Sequence, residues 1–440
     1  MFKSKIREID NCADESMPLN TLSHKNLKFI VFFLILVIFL CSYVVFSFIN
    51  NSFESSKQSN LYLRPRSPNL GSAFVQRAIL IFYPSNQEQH YFPEIRWLYR
   101  SWIEMMKDES RNWRTDLIIY TGNYSSSLQQ LGCVLNEIRS NSTEQPQCRV
   151  FLYLRLSARE IDTRTEKQRL FANVHRKDLF DINIQRSILL YKNVKKYDYI
   201  DSVNIIAESY PTYKYYNFIL KTDIDVFITK QFAKFIPVTN AALLVGLGGY
   251  STPFNTRRLG RIARDMNWQH ANMTNIGSTW YGSPYVAQRI ADLTLDAMLH
   301  LSDNEFAQVE RDRKLGVLLW PDWHYGVLSM YGTHLAVNHL LVSEKLGIKR
   351  ANQLLDQSTT DPDPNNIEKN NRLHLHCWHT NKEFSKFEFK AGKYNNIHPR
   401  TLIHNTSAQA YAMRIALESR LMTLDELAQR LKNIGTSKTK

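Results

Sequence analysis

The stretch NFILKTDIDVFIT, residues 217–229, places two aspartates one residue apart between two apolar runs. A short apolar run of this kind predicts a strand that is buried on both faces. Because side chains two apart in extended backbone point the same way, Asp223 and Asp225 should face one spot. Two like charges held beside apolar strands are costly unless a cation neutralises them. The stretch therefore predicts a site for Mn²⁺ or Mg²⁺, with phosphate oxygens in the open positions.

A purely structural interpretation of the pair stays open. Both aspartates would then be turn or capping carboxylates at the end of a strand. The bare pattern is not specific, because Asp361-Pro-Asp363 repeats it in a polar, Pro-rich segment with no strand before it. What distinguishes Asp223 and Asp225 is the apolar run that precedes them.

Apolar runs alternate with helical patterns through most of the chain. Strands are predicted near residues 78–85, 115–122, 149–156, 217–220 and 242–249, and helices near 91–107, 128–139 and 167–209. Alternation of this kind predicts an α/β fold with a mainly parallel sheet flanked by helices. In such a sheet, ligands bind at the carboxyl ends of the strands, where the aspartate pair is expected.

An uncharged segment of 21 residues, 29–49, predicts a transmembrane helix. It begins too far from the N-terminus, and ends in residues too large, for a cleaved signal peptide. Lys25 and Lys28 flank its start, so the positive-inside rule puts residues 1–28 in the cytosol. Residues 50–76 are polar, contain Ser, Pro and Gly, and predict a stem. Residues 77–440 are then expected to be one lumenal domain of a single-pass type II protein.

Glycosylation triplets and cysteine usage agree with a lumenal placement. Asn-X-Ser/Thr triplets begin at Asn123, Asn141, Asn272 and Asn405. Cys133 and Cys148 would close a short loop and leave Cys377 free, although three thiols do not fix a pairing. The formal charge of +14 suits an anionic ligand, and nucleic acid is excluded as a partner in the lumen.

The anchor, the stem, the α/β pattern and the strand that ends in DxD together resemble the type II glycosyltransferases of the secretory pathway, which have the GT-A fold. The resemblance spans the architecture from Lys25 to about Phe389, and short motifs carry it. It implies a Golgi membrane enzyme whose Asp225 binds Mn²⁺ on the diphosphate of a nucleotide sugar, with Asp223 on the ribose or the metal. A late histidine often supplies another metal ligand in such enzymes.

A histidine cluster lies in the segment RLHLHCWHTNKEFSKFEF, residues 372–389. Imidazole suits Mn²⁺ or Zn²⁺, and the resemblance makes His379 the expected metal ligand, with His376 second. Lys382 or Lys386 would meet the donor phosphates as a point charge. One alternative is that these histidines are on the surface or hydrogen-bonded in the core. A Zn²⁺ site of histidine with Cys377 is a further alternative, although the paired cysteine spacing of structural zinc sites is absent.

Two further segments are candidate parts of the same pocket. Residues 275–284, NIGSTWYGSP, predict a Gly-punctuated loop that resembles the segment contacting the transferred sugar, with Asn275 and Gly277 as donor contacts. Asp322 lies among aromatic residues ahead of a helix and is the candidate acceptor-side carboxylate. An inverting transfer would need it as a general base, whereas a retaining transfer would rely largely on the leaving phosphate. The alternative for residues 275–284 is a turn that holds aromatic packing, and the alternative for the segment around Asp322 is that its aromatic side chains belong to the core.

The function expected from these features is metal-dependent sugar transfer from a nucleotide sugar to a glycan, protein or lipid acceptor in the Golgi lumen. Two alternatives stay open: a membrane-anchored glycan-binding or scaffold protein without turnover, and a nucleotide-sugar hydrolase. The sequence leaves the donor, the acceptor, the stereochemistry and a homodimeric state undecided.

Overall fold

Eleven strands occur in the part of the chain that the computed structural model describes, which is residues 74–135, 145–159, 182–194, 197–237, 241–312, 321–351, 353–377 and 384–439. In chain order the strands are β1 (Val75–Tyr83), β2 (Trp113–Thr121), β3 (Val134–Leu135), β4 (Cys148–Leu152), β5 (Phe218–Lys221), β6 (Val226–Ile228), β7 (Leu243–Leu247), β8 (Ile276–Gly282), β9 (Ile348–Arg350), β10 (Gln357–Ser358) and β11 (His374–His376).

Helices cover both faces of the sheet. They are α1 (Glu88–Met106), α2 (Ser126–Gln130), α3 (Ile182–Val194), α4 (Asp201–Glu208), α5 (Tyr210–Tyr213), α6 (Pro253–Asp265), α7 (Pro284–Asn304), α8 (Gln308–Arg311), α9 (Leu328–Ser343), α10 (Asn366–Lys369), α11 (Lys386–Lys390), α12 (Ala408–Leu421) and α13 (Leu424–Thr439). Short 3₁₀ turns lie at Ser85–Gln87, Leu156–Ala158, Lys230–Lys234, Tyr325–Val327 and Pro399–Leu402.

The main sheet has eight strands in the order β3-β4-β2-β1-β5-β8-β7-β9. Strand β8 is antiparallel to both of its neighbours, and the other pairings are parallel. A smaller sheet, β10-β11-β6, begins where the chain leaves β5. The α/β fold with a mainly parallel sheet is thus confirmed, and the mixed topology places the end of β5 beside the small sheet.

Alternate side chains of β1 enter two different cores. Ile79, Ile81 and Tyr83 pack with α1 and α12 on one face, whereas Ala78 and Leu80 pack with α7 and α9 on the other. This is the arrangement that a continuously apolar strand predicts, because its two faces are both covered. Burial on both faces fixes the position of β5, the neighbour of β1, and so the position of the residues that follow it.

Two element predictions were wrong. The helix expected over residues 128–139 ends at Gln130, because Gly132 adopts a left-handed backbone with φ of 73° and Val134 begins β3. The loop expected over residues 275–284 is mostly strand β8, in the centre of the sheet. The glycines of that segment allow close packing instead of a turn.

A disulfide joins Cys133 to Cys148, and Cys377 is a buried free thiol. The bond links the start of β3 to the start of β4 at one edge of the main sheet. The pairing that the sequence left open is thereby settled in favour of the short loop.

None of the helices that the structure describes combines the length and the apolar character needed to cross a bilayer. The predicted anchor, residues 29–49, and nearly all of the stem lie outside the described ranges. The anchor, stem and tail therefore stay predictions.

Candidate metal centre

Asp223 and Asp225 lie between the end of β5 and the start of β6, at the carboxyl end of a parallel strand. Ile224, between them, packs into the core that contains α1. The Asp225 side chain is only 10% exposed, whereas that of Asp223 is 32% exposed. One carboxylate is therefore fixed in the protein and the other faces the opening of the site.

His376 is brought to this pair by the small sheet. Strand β11 runs antiparallel to β6, and the register places His376 opposite Val226, next to Asp225. His376 Nε2 lies 3.3 Å from Asp225 Oδ1 and 3.8 Å from Asp223 Oδ2. One oxygen of each carboxylate and one imidazole nitrogen lie within 4.8 Å of one another. Two oxygens and a nitrogen at this spacing fit a divalent cation such as Mn²⁺.

Lys386 provides a positive charge beside the acidic pair. It begins α11, and its Nζ donates to Asp225 Oδ2 at 2.6 Å. Burial would raise the pKa of Asp225, but Lys386 and His376 outweigh it and hold that pKa well below its usual range. Burial would likewise lower the pKa of Lys386, and the nearby carboxylates of Asp225 and Glu94 raise it instead. Asp225 is thus an ionised carboxylate with a cation on each side.

The sequence did not indicate several residues around this pair. Ser278 Oγ, on β8, donates to Asp223 Oδ2 at 2.9 Å. Lys221 Nζ lies 3.9 Å from Asp223 Oδ1 and donates to the Ser278 carbonyl at 2.8 Å. Lys221 belongs to the stretch that predicted the site, and Ser278 to the supposed sugar loop, but no spacing rule connects them.

Glu94 is a second buried carboxylate near Asp225. It lies on α1 and is ion-paired with Lys390, one helical turn after Lys386. Burial and the charge of Asp225 raise the pKa of Glu94 to about 7. The ammonium groups of Lys386 and Lys390 alternate with the carboxyl groups of Asp225 and Glu94, so each buried carboxyl group has a positive partner.

The other predicted site residues have different surroundings. Asn275 has a left-handed φ of 59°, its carbonyl accepts from the Gly248 N–H at 2.9 Å, and its buried Oδ1 has no hydrogen-bond partner in the described ranges. Gly277 lies against the carboxylate of Asp356. His379 and Lys382 lie outside the described residues.

Asp322 is exposed, and its backbone carbonyl accepts hydrogen bonds from Asn255 and Tyr331. The adjacent Trp323 stacks on Tyr331, with ring centroids 4.5 Å apart, and on Phe306. The aromatic residues after Asp322 therefore belong largely to the core, as the structural alternative had it. The structure brings together Asp223, Asp225, His376 and Lys386, and it shows no contact between Asp322 and that group.

Several solved structures are partly similar to this chain. An active-site mutant of LgtC has a TM-score of 0.38 and 9% identity, over 74% of this chain and 98% of that one. The bifunctional glycosyltransferase WbbM has a TM-score of 0.37 and 9% identity, over 79% of this chain and 52% of that one. Mouse xyloside xylosyltransferase 1 has a TM-score of 0.32 and 12% identity, over 70% of this chain and all of that one, 100%.

Among curated proteins, no sequence matches the chain significantly. One protein-family model matches residues 71–440 of the chain. The chain therefore belongs to the family described as Domain of unknown function (DUF7164).

Proposed function

We propose that this chain is a metal-dependent glycosyltransferase that moves a sugar from a nucleotide sugar to a glycan, protein or lipid acceptor. One observation carries the proposal: Asp223, Asp225 and His376 converge at the carboxyl end of β5, with Lys386 in contact with Asp225. A site that combines metal ligands with a lysine is suited to a diphosphate, which needs both a divalent cation and further positive charge.

Each side chain has a distinct task in this proposal. Asp225 and His376 bind the cation from the buried side, and the more exposed Asp223 binds it at the mouth. Ser278 and Lys221 hold Asp223 in place through a hydrogen bond and a charge. Lys386 would meet the phosphates. The bound metal would act as a Lewis acid that stabilises the departing diphosphate.

The remaining sequence predictions belong to the same proposal. Residues 29–49 would anchor the chain in the Golgi membrane, with residues 77–440 in the lumen. Asp322 as the acceptor-side carboxylate, and Asn275, Gly277 and Lys382 as donor contacts, stay predictions, as does His379 as a ligand.

The test is nucleoside diphosphate binding by the full-length protein, measured calorimetrically with and without Mn²⁺. We expect binding of UDP or GDP to require Mn²⁺ and to weaken at least about a hundredfold in Asp225→Asn, because the metal then loses a buried carboxylate ligand and Lys386 loses its ion-pair partner. Asp363→Asn is the matched control, since it makes the same change in the exposed second DxD.

Turnover then separates the function classes. Release of the nucleotide from a nucleotide sugar only when an acceptor is present supports a transferase, and release to water alone supports a hydrolase. A nucleotide affinity that changes neither when Mn²⁺ is omitted nor in Asp225→Asn would contradict the proposal.

A further inference from the structure

A buried carboxylate behind His376 has no role in the function proposed so far. Asp356 lies just before β10, is 2% exposed and has a left-handed φ of 54°. Its Oδ1 accepts from Thr279 Oγ1 at 2.6 Å, and its Oδ2 from the Thr279 N–H at 3.4 Å. Oδ1 also lies 3.6 Å from His376 Nδ1, on the side of the imidazole opposite the acidic pair.

A second histidine next to Asp356 does not compete for this carboxylate. His374 Nδ1 also lies 3.6 Å from Asp356 Oδ1, but it accepts the backbone N–H of Asp356 at 3.1 Å and so carries no proton there. The proton of His374 is then on Nε2, 2.8 Å from Thr222 Oγ1. Of the two imidazoles, only that of His376 is left to donate to Asp356.

The sheet leaves space for this carboxylate at two glycines. A Cβ atom on Gly246 of β7 would lie 1.8 Å from Asp356 Oδ2, and one on Gly277 of β8 would lie 2.4 Å from it. Either distance is far below a van der Waals contact, so no larger residue fits at these positions without a shift. The backbones of both strands are therefore compatible with a carboxylate at this place because they lack side chains there.

We infer that Asp356 is a positioning residue that orients His376 for metal binding. With Oδ1 3.6 Å from His376 Nδ1, it favours a proton on that nitrogen and directs Nε2 at Asp223 and Asp225, where Nε2 would lose its own proton when a metal binds. Carboxylate partners behind ligating histidines fix the tautomer and the ring orientation, and their loss commonly weakens metal binding about 10–100-fold. The inference rests on the proposed function only in requiring a cation at this site.

The test measures Mn²⁺ binding by electron paramagnetic resonance on the full-length protein labelled with ¹⁵N-histidine. The wild type should bind Mn²⁺ and show a coupling to a directly bound histidine nitrogen, which is absent in His376→Gln. In Asp356→Asn we expect an affinity about 10–100-fold lower and a weakened or lost nitrogen coupling. Asp116→Asn is the matched control, because Asp116 is a buried carboxylate on β2 that accepts from Tyr216 OH.

A purely structural role for Asp356 would lower the unfolding midpoint, as in Asp116→Asn, without changing the nitrogen coupling. Unchanged Mn²⁺ affinity and coupling in Asp356→Asn would overturn the inference and leave the proposed function standing. Mn²⁺ binding by the wild type without a His376 coupling would overturn the inference together with the role of His376 as a ligand in the proposed function. Failure of the wild type to bind Mn²⁺ would overturn both.

A second measurement needs no Asp356 variant. Long-range ¹H–¹⁵N spectra of the wild type with bound Mg²⁺, assigned by comparison with His376→Gln, report which nitrogen of His376 is protonated. The inference requires the proton on Nδ1. A proton on Nε2 would contradict it.

Discussion

Lys386 takes the position of a neutralising cation beside Asp225. Its ammonium contacts Oδ2, while His376 faces Oδ1, so both oxygens of the buried carboxylate have positive partners. A divalent cation would share Asp225 with this lysine. Because Asp225 would attract the Lys386 ammonium less strongly while it also bound a cation, Lys386 would be freer to meet a phosphate.

Replacing Lys386 should therefore separate metal binding from nucleotide binding. In Lys386→Met we expect Mn²⁺ to bind at least about tenfold more tightly without nucleotide. Removing one partner of a buried ion pair destabilises a protein by about 3–5 kcal/mol, because the remaining charge is unpaired, and a cation bound to Asp225 would recover part of that free energy. Binding of UDP or GDP to the Mn²⁺-loaded variant should weaken. Both are measured by titration calorimetry.

The control for this prediction is Lys393→Met. Lys393 is an exposed lysine, paired with Glu388 a short distance along the chain, and its loss should change neither affinity. Mn²⁺ affinity that is equal or lower in Lys386→Met would show that the lysine does not compete with the metal.

At the level of single residues, the sequence predicted those features of the site that depend on the alternating direction of side chains along extended backbone. Asp223 and Asp225 share one direction because they are two apart. His376 was the second candidate ligand, after His379, and that expectation came from the resemblance. Ser278 and Asp356 were not predicted. Each meets the site through strand pairings and backbone approach between segments that are far apart in the chain, which no local pattern encodes.

Strands β7 and β8 approach Asp356 closely, and this makes Gly246 a structural requirement. In Gly246→Ala the new methyl group would collide with a carboxylate held by Thr279, so the carboxylate or the strand must move. We expect a loss of about 3 kcal/mol in the free energy of unfolding, measured by chemical denaturation. The loss should shrink when Asp356→Ala is added, since the two changes share one contact.

Gly260→Ala provides the opposite expectation. Gly260 lies within α6, and a Cβ there would have no atom within 4 Å. Alanine favours a helix interior over glycine by about 1 kcal/mol, so this variant should be slightly stabilised. Equal effects of the two substitutions would contradict the close approach of Asp356 to β7.

The disulfide holds one edge strand, β3, to the main sheet. Cys133 and Cys148 are 15 residues apart and join the short strand β3 to β4. Closing a loop of this length restricts the unfolded chain by about 3 kcal/mol. We expect the double variant Cys133→Ala, Cys148→Ala to lose about that amount of stability. Dithiothreitol should destabilise the wild type but not the double variant. If dithiothreitol lowered the stability of both proteins equally, the result would argue against the disulfide.

Element predictions succeeded where burial on both faces produced a continuous apolar run, as in β1, β2 and β5. They failed at glycines, because a glycine can mark a loop or a helix end, or can allow close packing inside a strand. In residues 275–284 the glycines suggested a loop, yet Gly277 allows β8 to approach Asp356. Near residue 132 the helical pattern continued past a glycine that ends the helix in a left-handed conformation. Tertiary packing decides which role a glycine has, and a short stretch of sequence does not reveal that packing.

On the scale of the whole molecule, burial of histidine makes stability depend on pH. His334 lies in α9 within the core on the far side of the sheet from α1, where it contacts Tyr250 and His270. Its Nδ1 lies 3.3 Å from Tyr250 OH, which accepts the N–H of Ile276 at the start of β8. A neutral imidazole thus connects α9 to the sheet, and protonating it would place a charge in an apolar core.

Acid should therefore weaken the fold in part through His334. Burial, and secondly the nearby His270, lower the pKa of His334 to about 3, against about 6.5 in the unfolded chain. Below pH 6.5 the unfolded chain binds a proton that folded His334 does not, so this stabilisation is present above that pH and is lost as the pH falls towards 3. Between pH 7 and pH 5 the loss amounts to about 2 kcal/mol.

Urea denaturation should show that His334→Gln loses less stability over this interval, by about that amount, whereas the exposed His404→Gln behaves as the wild type. The same pH dependence in His334→Gln and the wild type would mean that His334 is not the group that resists protonation.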